Sequence, residues 1–297
     1  MKILIAGGSG FIGRSIEQYF GKKGHDVCIL TRSPRQTNEV LWDARSIGSW
    51  TNELSDTDVL INLTGKSVDC RYTKANKAEI LRSRIDSTAI LNEALQTVKH
   101  SVSLYINASS ATIYEHSIDK FNTELDGVIG DDFSMNVVKL WEQEFFKADD
   151  IIRRVAMRIS IVMGTAGGAF PKIKMITKLG LGGHHGDGLQ KVSWIHVDDL
   201  MGVIEYIIYH EELSGPVNVT SPRPVSNRIL MKAVRKAVHI PIGIPQPSWL
   251  LEIGSFFLRT ETELLLKSRY VYPQKLMESG FKFRYETIDQ CMASLSN

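Results

Sequence analysis

The chain has 297 residues, a formal net charge of +2 at pH 7 and 43% hydrophobic residues. This length can bury a large core in one or two domains, and the balanced charge argues against a nucleic-acid or anionic-membrane partner. The three cysteines, Cys28, Cys70 and Cys291, show neither metal-ligand spacing nor a disulfide framework. No apolar stretch reaches the ~18 residues of a membrane helix, so we expect a cytoplasmic protein.

The beginning of the chain carries its strongest local pattern. An apolar run at residues 2–6 predicts a buried strand, and glycines at Gly7, Gly10 and Gly13 separate it from a helical pattern. Gly7 allows a tight turn, Gly10 lets the backbone approach a pyrophosphate, and Gly13 lets the helix pack against the strand. The helix N-terminus would offer free N–H groups to phosphates, although a glycine turn that only packs is the alternative. The candidate cofactor contacts here are Gly7, Gly10, Phe11, Ile12 and Gly13.

The end of the second predicted strand, residues 26–31, indicates which dinucleotide is preferred. In NAD sites an acidic residue at this place holds the ribose 2′-OH. Here the chain reads Thr31-Arg32-Ser33-Pro34-Arg35, with two guanidinium groups and no carboxylate. Arginine binds a phosphate in bidentate fashion. We therefore favour NADP (NADPH), with Thr31 and Arg32 as contacts; the alternative is a solvated basic loop.

Small residues follow a later strand, predicted at 58–63. Leu63, Thr64 and Gly65 come just where a dinucleotide would pass the carboxyl end of a parallel strand. A long helix is predicted over 73–98, and it contains Glu79 and Arg84, which lie about 140° apart around the helix axis. We take both as candidate cofactor contacts, with ordinary surface salt bridges as the equal alternative.

Strand and helix patterns alternate along the first two thirds of the chain. This rhythm predicts an α/β fold of Rossmann type, a doubly wound parallel sheet with helices on both faces. The five main predicted strands are 2–6, 26–31, 58–63, 104–108 and 155–162, with shorter ones at 40–42 and 217–219. The predicted helices between them are 11–23, 73–98 and 133–147, with another ending near 209.

After the fifth strand the chain reads Ser109-Ser110-Ala111-Thr112-Ile113-Tyr114. Two serine hydroxyls and a phenol thus leave the carboxyl end of a strand together, which is where open α/β sheets place their chemistry.

The composition changes at residue 164. Glycine-rich segments at 164–168 and 180–188 are typical of loops that cover a ligand. His184 and His185 lie between these glycines, but no further ligand spacing supports a metal. Predicted helices follow at 226–238, 241–247 and 249–258, and a last one ends the chain. We expect a Rossmann domain from 1–163 that also takes 190–220, and a smaller C-terminal substrate domain from 164–189 and 221–297.

Together these motifs resemble the extended short-chain dehydrogenase/reductases, and within them the "epimerase family" subgroup of NAD-dependent epimerase/dehydratase-like proteins. That subgroup carries a C-terminal domain of unknown function, and the resemblance covers essentially the whole chain. The motifs that carry it, beside the glycine triplet, are Asn62–Gly65, Ser83-Arg84, Ser109–Tyr114, Leu179–Gly183, Ser193–Leu200 and Pro273 with Gly280-Phe281.

The resemblance also shows a departure from the family's usual chemistry. The family uses Tyr-x-x-x-Lys on the helix after the fifth strand, where the tyrosine exchanges a proton with the substrate. At that place this chain has Met135 and Lys139, and a thioether cannot donate a proton. The resemblance implies that Ser110 polarises the substrate and Lys139 binds the nicotinamide ribose. Tyr114 is the nearest replacement phenol, with a packed aromatic as the alternative.

Two functions of different classes follow. The first is an NADP(H)-binding oxidoreductase or nucleotide-sugar-epimerase-like enzyme that acts on a small molecule. The second is a non-catalytic NADP(H)-sensing regulatory protein, which the missing tyrosine favours. The sequence names neither the substrate nor the oligomeric state, and a homodimer stays open.

Overall fold

The computed structural model describes residues 1–148, 152–247 and 266–296. Its strands are β1 (Lys2–Ala6), β2 (Asp26–Thr31), β3 (Glu39–Leu41), β4 (Val59–Asn62), β5 (Leu104–Ser110), β6 (Arg153–Ile159), β7 (Ile161–Met163), β8 (Lys191–Val192), β9 (Trp194–His196), β10 (Gly215–Val219) and β11 (Val225–Ser226). Its helices are α1 (Phe11–Lys22), α2 (Lys74–Thr97), α3 (Phe133–Phe145), α4 (Phe170–Ile176), α5 (Val197–Tyr209), α6 (Asn227–Ala237), α7 (Gln274–Glu278) and α8 (Ile288–Ser296).

Seven of these strands form one parallel sheet in the order β10-β6-β5-β4-β1-β2-β3. The Rossmann-type fold and its five main strands are therefore confirmed. The strand order reverses at β1, which pairs with β2 on one side and β4 on the other. Ligands of open α/β sheets bind outside the carboxyl ends of the strands at such a reversal.

Alternating residues of β1 show how the sheet is covered on both faces. Ile3 and Ile5 pack with Phe20 of α1 and Val203 of α5 in one core cluster. Leu4, between them, packs with residues of α2 and α3 in a second cluster on the opposite face. Because both faces are covered by helices, Ile3, Leu4 and Ile5 are all buried and apolar, as expected for a strand inside a parallel sheet.

Side-chain caps fix where several of the helices begin. The Thr73 side chain accepts a hydrogen bond from Asn76 N at the start of α2, and Asp132 accepts one from Met135 N at the start of α3. Each cap satisfies an N–H that has no partner inside the helix. The predicted helix boundaries agree with the structure to within two residues at both helices.

One predicted strand is too long. The segment 155–162 stays in the main sheet only as far as Ile159, and Ser160 N donates to Val219 O. The following residues form β7, which pairs in parallel with β9 in a separate two-stranded sheet. An apolar run cannot show such a change of sheet, because residues of both strands are equally apolar.

The predicted helix at 241–247 is wrong. This segment is irregular, and Gln246 forms an isolated bridge with His185. Three prolines, at positions 241, 245 and 247, lack the N–H that a helix needs and disfavour helical backbone in the preceding residue. The predicted helix at 249–258 lies outside the described residues, whereas α6 and α8 match the predictions. Within the described ranges, no helix is long and apolar enough to cross a membrane.

Candidate functional site

The turn between β1 and α1 needs two of its glycines for space. Gly7 has a φ of +73°, and a Cβ there would lie 2.8 Å from Thr64 Oγ1. A Cβ on Gly13 would lie 2.1 Å from the carbonyl oxygen of Gly8. The first turn of α1 therefore packs directly on the strand-to-helix turn and beside the residues that follow β4, as the glycine spacing predicts.

Gly10 differs from these two glycines. It is the N-cap of α1, it has an extended backbone, and no atom lies within 4 Å of the place its Cβ would take. Among the described residues no side chain caps this helix, and its first turn carries no acid. The α1 N-terminus, at Phe11, Ile12 and Gly13, thus offers N–H groups and a positive dipole end to an anion in open space.

The turn after β4 lies on the other side of the open space at the N-terminus of α1. Asn62 Oδ1 accepts a hydrogen bond from Thr64 N at 3.0 Å, and Asn62 Nδ2 donates to Asn107 Oδ1 at 2.8 Å. Thr64 Oγ1 is buried and has no hydrogen-bond partner within the described ranges. A buried hydroxyl without a partner is costly, so this atom beside Gly7 suits a polar ligand. The residues here fit a dinucleotide cofactor.

Two residues of α2, Ser83 and Arg84, form hydrogen bonds with the backbone of the turn after β4. Lys66 N donates to Ser83 Oγ at 2.9 Å, and Arg84 Nη1 donates to Lys66 O at 3.1 Å. The Arg84 guanidinium lies so close to Gly65 that a Cβ there would be 3.0 Å from Arg84 Cζ. Leu63 is partly buried against the core on the strand side of the turn.

Arg84 is a cation without a counter-ion in the part of the chain described. Burial lowers its pKa to about 10, and its guanidinium stacks over the Trp141 ring at 5.1 Å. Glu79 is exposed and does not pair with it. The structure therefore places Arg84 beside the candidate cofactor turn and Glu79 on the exposed surface of α2.

The loop after β2 contains the predicted NADP contacts. Thr31 is buried at the strand end, whereas Arg32 and Arg35 are exposed and make no ion pair with any described residue. Sequence reasoning missed Glu39, the first residue of β3, whose carboxylate accepts the backbone N–H groups of Arg35 and Gln36. A carboxylate is therefore present near the loop, but it faces inward.

The predicted catalytic residues lie on two neighbouring elements. Ser110, at the end of β5, is partly buried; its Oγ donates to Thr112 Oγ1 at 2.9 Å and accepts from Thr112 N at 3.1 Å. Lys139 is partly buried on α3 and makes no hydrogen bond or ion pair with the residues described. Met135 lies one turn before it and is 4% exposed.

Tyr114 lies in a different environment from the one that the proton-donor interpretation requires. Its side chain is fully buried, and its hydroxyl donates to Asn218 Oδ1 and accepts from Arg158 Nη1. Arg158 in turn forms a buried pair with Glu142, and burial raises the pKa of Tyr114. These surroundings favour the packed aromatic of the two interpretations, because the hydroxyl is already occupied inside the protein.

The loop after β7 reaches back to the glycine turn. A Cβ on Gly164 would lie 2.5 Å from the Phe11 ring, and one on Gly167 would lie 2.4 Å from it. The Phe11 side chain therefore packs on loop backbone, which places this loop beside the N-terminus of α1.

The vicinal histidines belong to the second glycine-rich segment. His184 Nδ1 is 3.0 Å from Gly186 O, and His185 Nδ1 is 3.4 Å from Asn227 Nδ2. Burial lowers the pKa of His185 to about 4. No group of three His, Cys, Asp or Glu side chains suited to a metal occurs among the described residues.

Comparison with known proteins agrees with this geometry. Residues 3–130 match the NAD dependent epimerase/dehydratase family, and residues 246–295 match a domain of unknown function, DUF1731. The epimerase family protein YfhF of Bacillus subtilis is 34% identical over 99% of this chain and 98% of its own length. The chain belongs to the NAD-dependent epimerase/dehydratase family. This confirms the resemblance seen in the sequence motifs.

Other members of the epimerase family are similar along the whole chain. The protein SERP0438 of Staphylococcus epidermidis is 30% identical over 99% of this chain and 98% of its own. A crystal structure of human epimerase family protein SDR39U1 with NADPH has a TM-score of 0.89 at 26% identity, and covers 100% and 99% of the two chains. A UDP-N-acetylglucosamine 4-epimerase from Bacillus cereus shares the fold, with a TM-score of 0.80 at 17% identity.

Proposed function

We propose that this protein binds NADP(H) and acts as an oxidoreductase or nucleotide-sugar-epimerase-like enzyme on a small molecule. The observation that carries the proposal is the uncapped N-terminus of α1 at Gly10, which faces open space beside the partnerless hydroxyl of Thr64. An anion-binding helix end and an unused donor at the reversal of strand order are what a dinucleotide requires. The human relative described with NADPH supports the same ligand.

The loop after β2 supports NADP over NAD. Arg32 and Arg35 are exposed, and the nearby carboxylate of Glu39 is occupied by backbone N–H groups and by Arg14. No other acid follows β2 before β3 to receive a ribose 2′-OH. A guanidinium fork matches a phosphate, so the loop suits the 2′-phosphate of NADP.

Ser110 and Lys139 are the residues proposed to act on the substrate side. The cofactor, when bound, supplies or accepts a hydride. The Ser110 hydroxyl would hold a substrate hydroxyl or carbonyl at the end of β5, and the Lys139 ammonium would hold the ribose. Met135 cannot transfer a proton, so a water must do so, and general acid–base assistance of about 10²–10⁴-fold is lost. Slow turnover is therefore expected.

A second candidate is a protein that senses NADP(H) without catalysis. Two observations favour it: Met135 stands at the usual tyrosine position, and the phenol of Tyr114 is buried and already hydrogen-bonded. Turnover of NADPH with a panel of carbonyl and nucleotide-sugar compounds separates the two functions. The enzyme loses turnover in Ser110→Ala and keeps NADPH binding, whereas the sensor shows no turnover above background with any compound.

Replacement of Arg32 tests the proposed cofactor directly. Hydrogen bonds to charged groups contribute roughly 1.5–3 kcal/mol, so Arg32→Ala should weaken NADPH binding about ten- to a hundredfold and leave NADH binding nearly unchanged. Isothermal titration calorimetry with both cofactors measures this. Arg223→Ala removes an exposed arginine after β10, at the other edge of the sheet, and should change neither affinity. Equal losses for both cofactors in Arg32→Ala would contradict NADP preference.

A further inference from the structure

Glu39 is a buried acid in a loop that otherwise presents cations. Its side chain is only 2% exposed. One carboxylate oxygen accepts the N–H groups of Arg35 and of Gln36, the latter at 3.2 Å. The other oxygen forms an ion pair with Arg14 Nη2. Both oxygens are thus directed away from the surface on which Arg32 and Arg35 are exposed.

Arg14 connects this acid to the helix that begins at the glycine turn. Its Nη1 donates to Glu17 Oε2 at 2.9 Å, and Asn38 Nδ2 donates to Glu17 Oε1 at 2.7 Å. The residues before β3 are therefore attached to α1 at two places, through Glu39 and through Asn38. The amide of Arg35, followed by Arg14, lowers the pKa of Glu39, so the acid is charged, and it shares the Arg14 guanidinium with Glu17.

The position of this acid matters for the choice of cofactor. An acid after β2 that is free to turn outward would bind the ribose 2′-OH of NAD and repel the 2′-phosphate of NADP. Here the acid stands at the start of β3, faces inward and is paired with Arg14. Its hydrogen bonds hold the backbone at Arg35 and Gln36 in the loop that carries the two arginines, which lowers the conformational entropy lost when this loop binds an anion.

We propose that Glu39 is a positioning residue for the NADP 2′-phosphate: it fixes the backbone of the loop after β2 at Arg35 and Gln36, and its ion pair with Arg14 reduces its repulsion of the phosphate. This inference rests on the proposed NADP(H) binding. The residue acts through the backbone of this loop and through Arg14, and does not contact the cofactor itself.

Two substitutions of Glu39 and one control test the inference. Glu39→Ala removes both acceptors and should weaken NADPH binding about tenfold, with less than twofold change for NADH. Glu39→Gln keeps one oxygen for the loop and should give an intermediate loss. Glu205→Gln removes an acid that pairs with Lys23 at the other end of α1, so its NADPH to NADH affinity ratio should equal the parent's. Calorimetry gives the affinities, and thermal unfolding shows that each variant is folded.

The possible results separate this inference from the proposed function. A tighter NADPH complex in Glu39→Gln would mean that the acid repels the phosphate, and would overturn the inference. Equal losses for both cofactors would do the same, because they would indicate general disturbance of the site. A parent that prefers NADPH, with the preference unchanged in both Glu39 variants, would overturn only the inference. A parent without that preference would overturn the proposed cofactor choice and this inference together.

Discussion

The Tyr114 hydroxyl donates a 2.8 Å hydrogen bond to Asn218 Oδ1, and so joins the loop after β5 to the edge strand β10. The same oxygen accepts a 2.7 Å hydrogen bond from Arg158 on β6. Because Arg158 also pairs with Glu142 of α3, the phenol belongs to a buried polar network that connects two strands, the loop after β5 and a helix. Such networks are costly when one member is removed.

Replacement of Tyr114 by phenylalanine should therefore reduce stability more than function. Tyr114→Phe deletes one oxygen and leaves buried polar atoms of Arg158 and Asn218 without a partner. We expect the free energy of unfolding to fall by about 1–3 kcal/mol. Urea denaturation measures this loss, and a titration with NADPH should show an affinity within twofold of the parent's.

Tyr209→Phe is the matched control, because Tyr209 is 62% exposed at the end of α5. It should change the free energy of unfolding by less than about 0.5 kcal/mol, the usual range for surface substitutions. A Tyr114→Phe variant with parental stability and no turnover would contradict the structural role and return the phenol to the active site.

Gly10 and Gly13 should respond differently to a single added methyl group. In Gly10→Ala the methyl enters open space, so the free energy of unfolding should change by less than about 1 kcal/mol. The same space is where the cofactor pyrophosphate is proposed to pass, so NADPH affinity should fall at least tenfold. Calorimetry and thermal unfolding of the same samples separate the two effects.

Gly13 and Gly21 of α1 provide two comparison variants for this prediction. In Gly13→Ala the methyl would meet backbone atoms of Gly8, so stability should fall by about 1–3 kcal/mol together with binding. Gly21→Ala adds a methyl to an exposed helical site with no neighbour within 4 Å, and should stabilise the protein by roughly 0.5–1 kcal/mol without affecting NADPH. Parental NADPH affinity in Gly10→Ala would place the cofactor elsewhere.

The sequence predicted the features that local patterns determine. The β1 run, the glycine spacing and the later apolar runs each depend on neighbouring residues, and the structure confirms the parallel sheet built from them. The change of sheet after Ile159 was not predictable in this way, because it depends on β9, which lies more than thirty residues away.

The candidate site also depends on contacts between residues that are far apart in the sequence, and local patterns do not predict these contacts. Loop composition indicates two arginines after β2, but only the folded chain brings Glu39 to Arg14 across 25 residues. Likewise, Tyr114 meets Asn218 across 104 residues, and no local pattern distinguishes an occupied phenol from an available one. One signal was present: Glu39 is an acid at the beginning of a strand that is otherwise apolar. An acid at such a place is a reason to expect a buried partner.

His185 should make the stability of the protein depend on pH. Burial lowers its pKa from 6.5 to about 4 in the folded protein, whereas the unfolded chain takes up the proton near pH 6.5. Between these values the unfolded state binds more protons, so the free energy of unfolding falls as the pH decreases from about 6.5 to about 4. His184, the neighbouring charge, acts in the same direction, and Asn227 contacts the ring.

Substitution of this histidine isolates its part of the pH dependence. His185→Gln should reduce the loss of stability between pH 6.5 and 4.5 by roughly 1–2 kcal/mol, because the variant has no imidazole to protonate on unfolding. Urea denaturation at several pH values gives this difference directly, since the carboxylates titrate in both proteins. His239→Asn, at an exposed position with a φ of +58° that asparagine tolerates, is the control for removing an imidazole elsewhere. Parallel pH profiles for the parent and His185→Gln would show that His185 does not resist protonation, and hence that the His184–Gly188 segment is open to water.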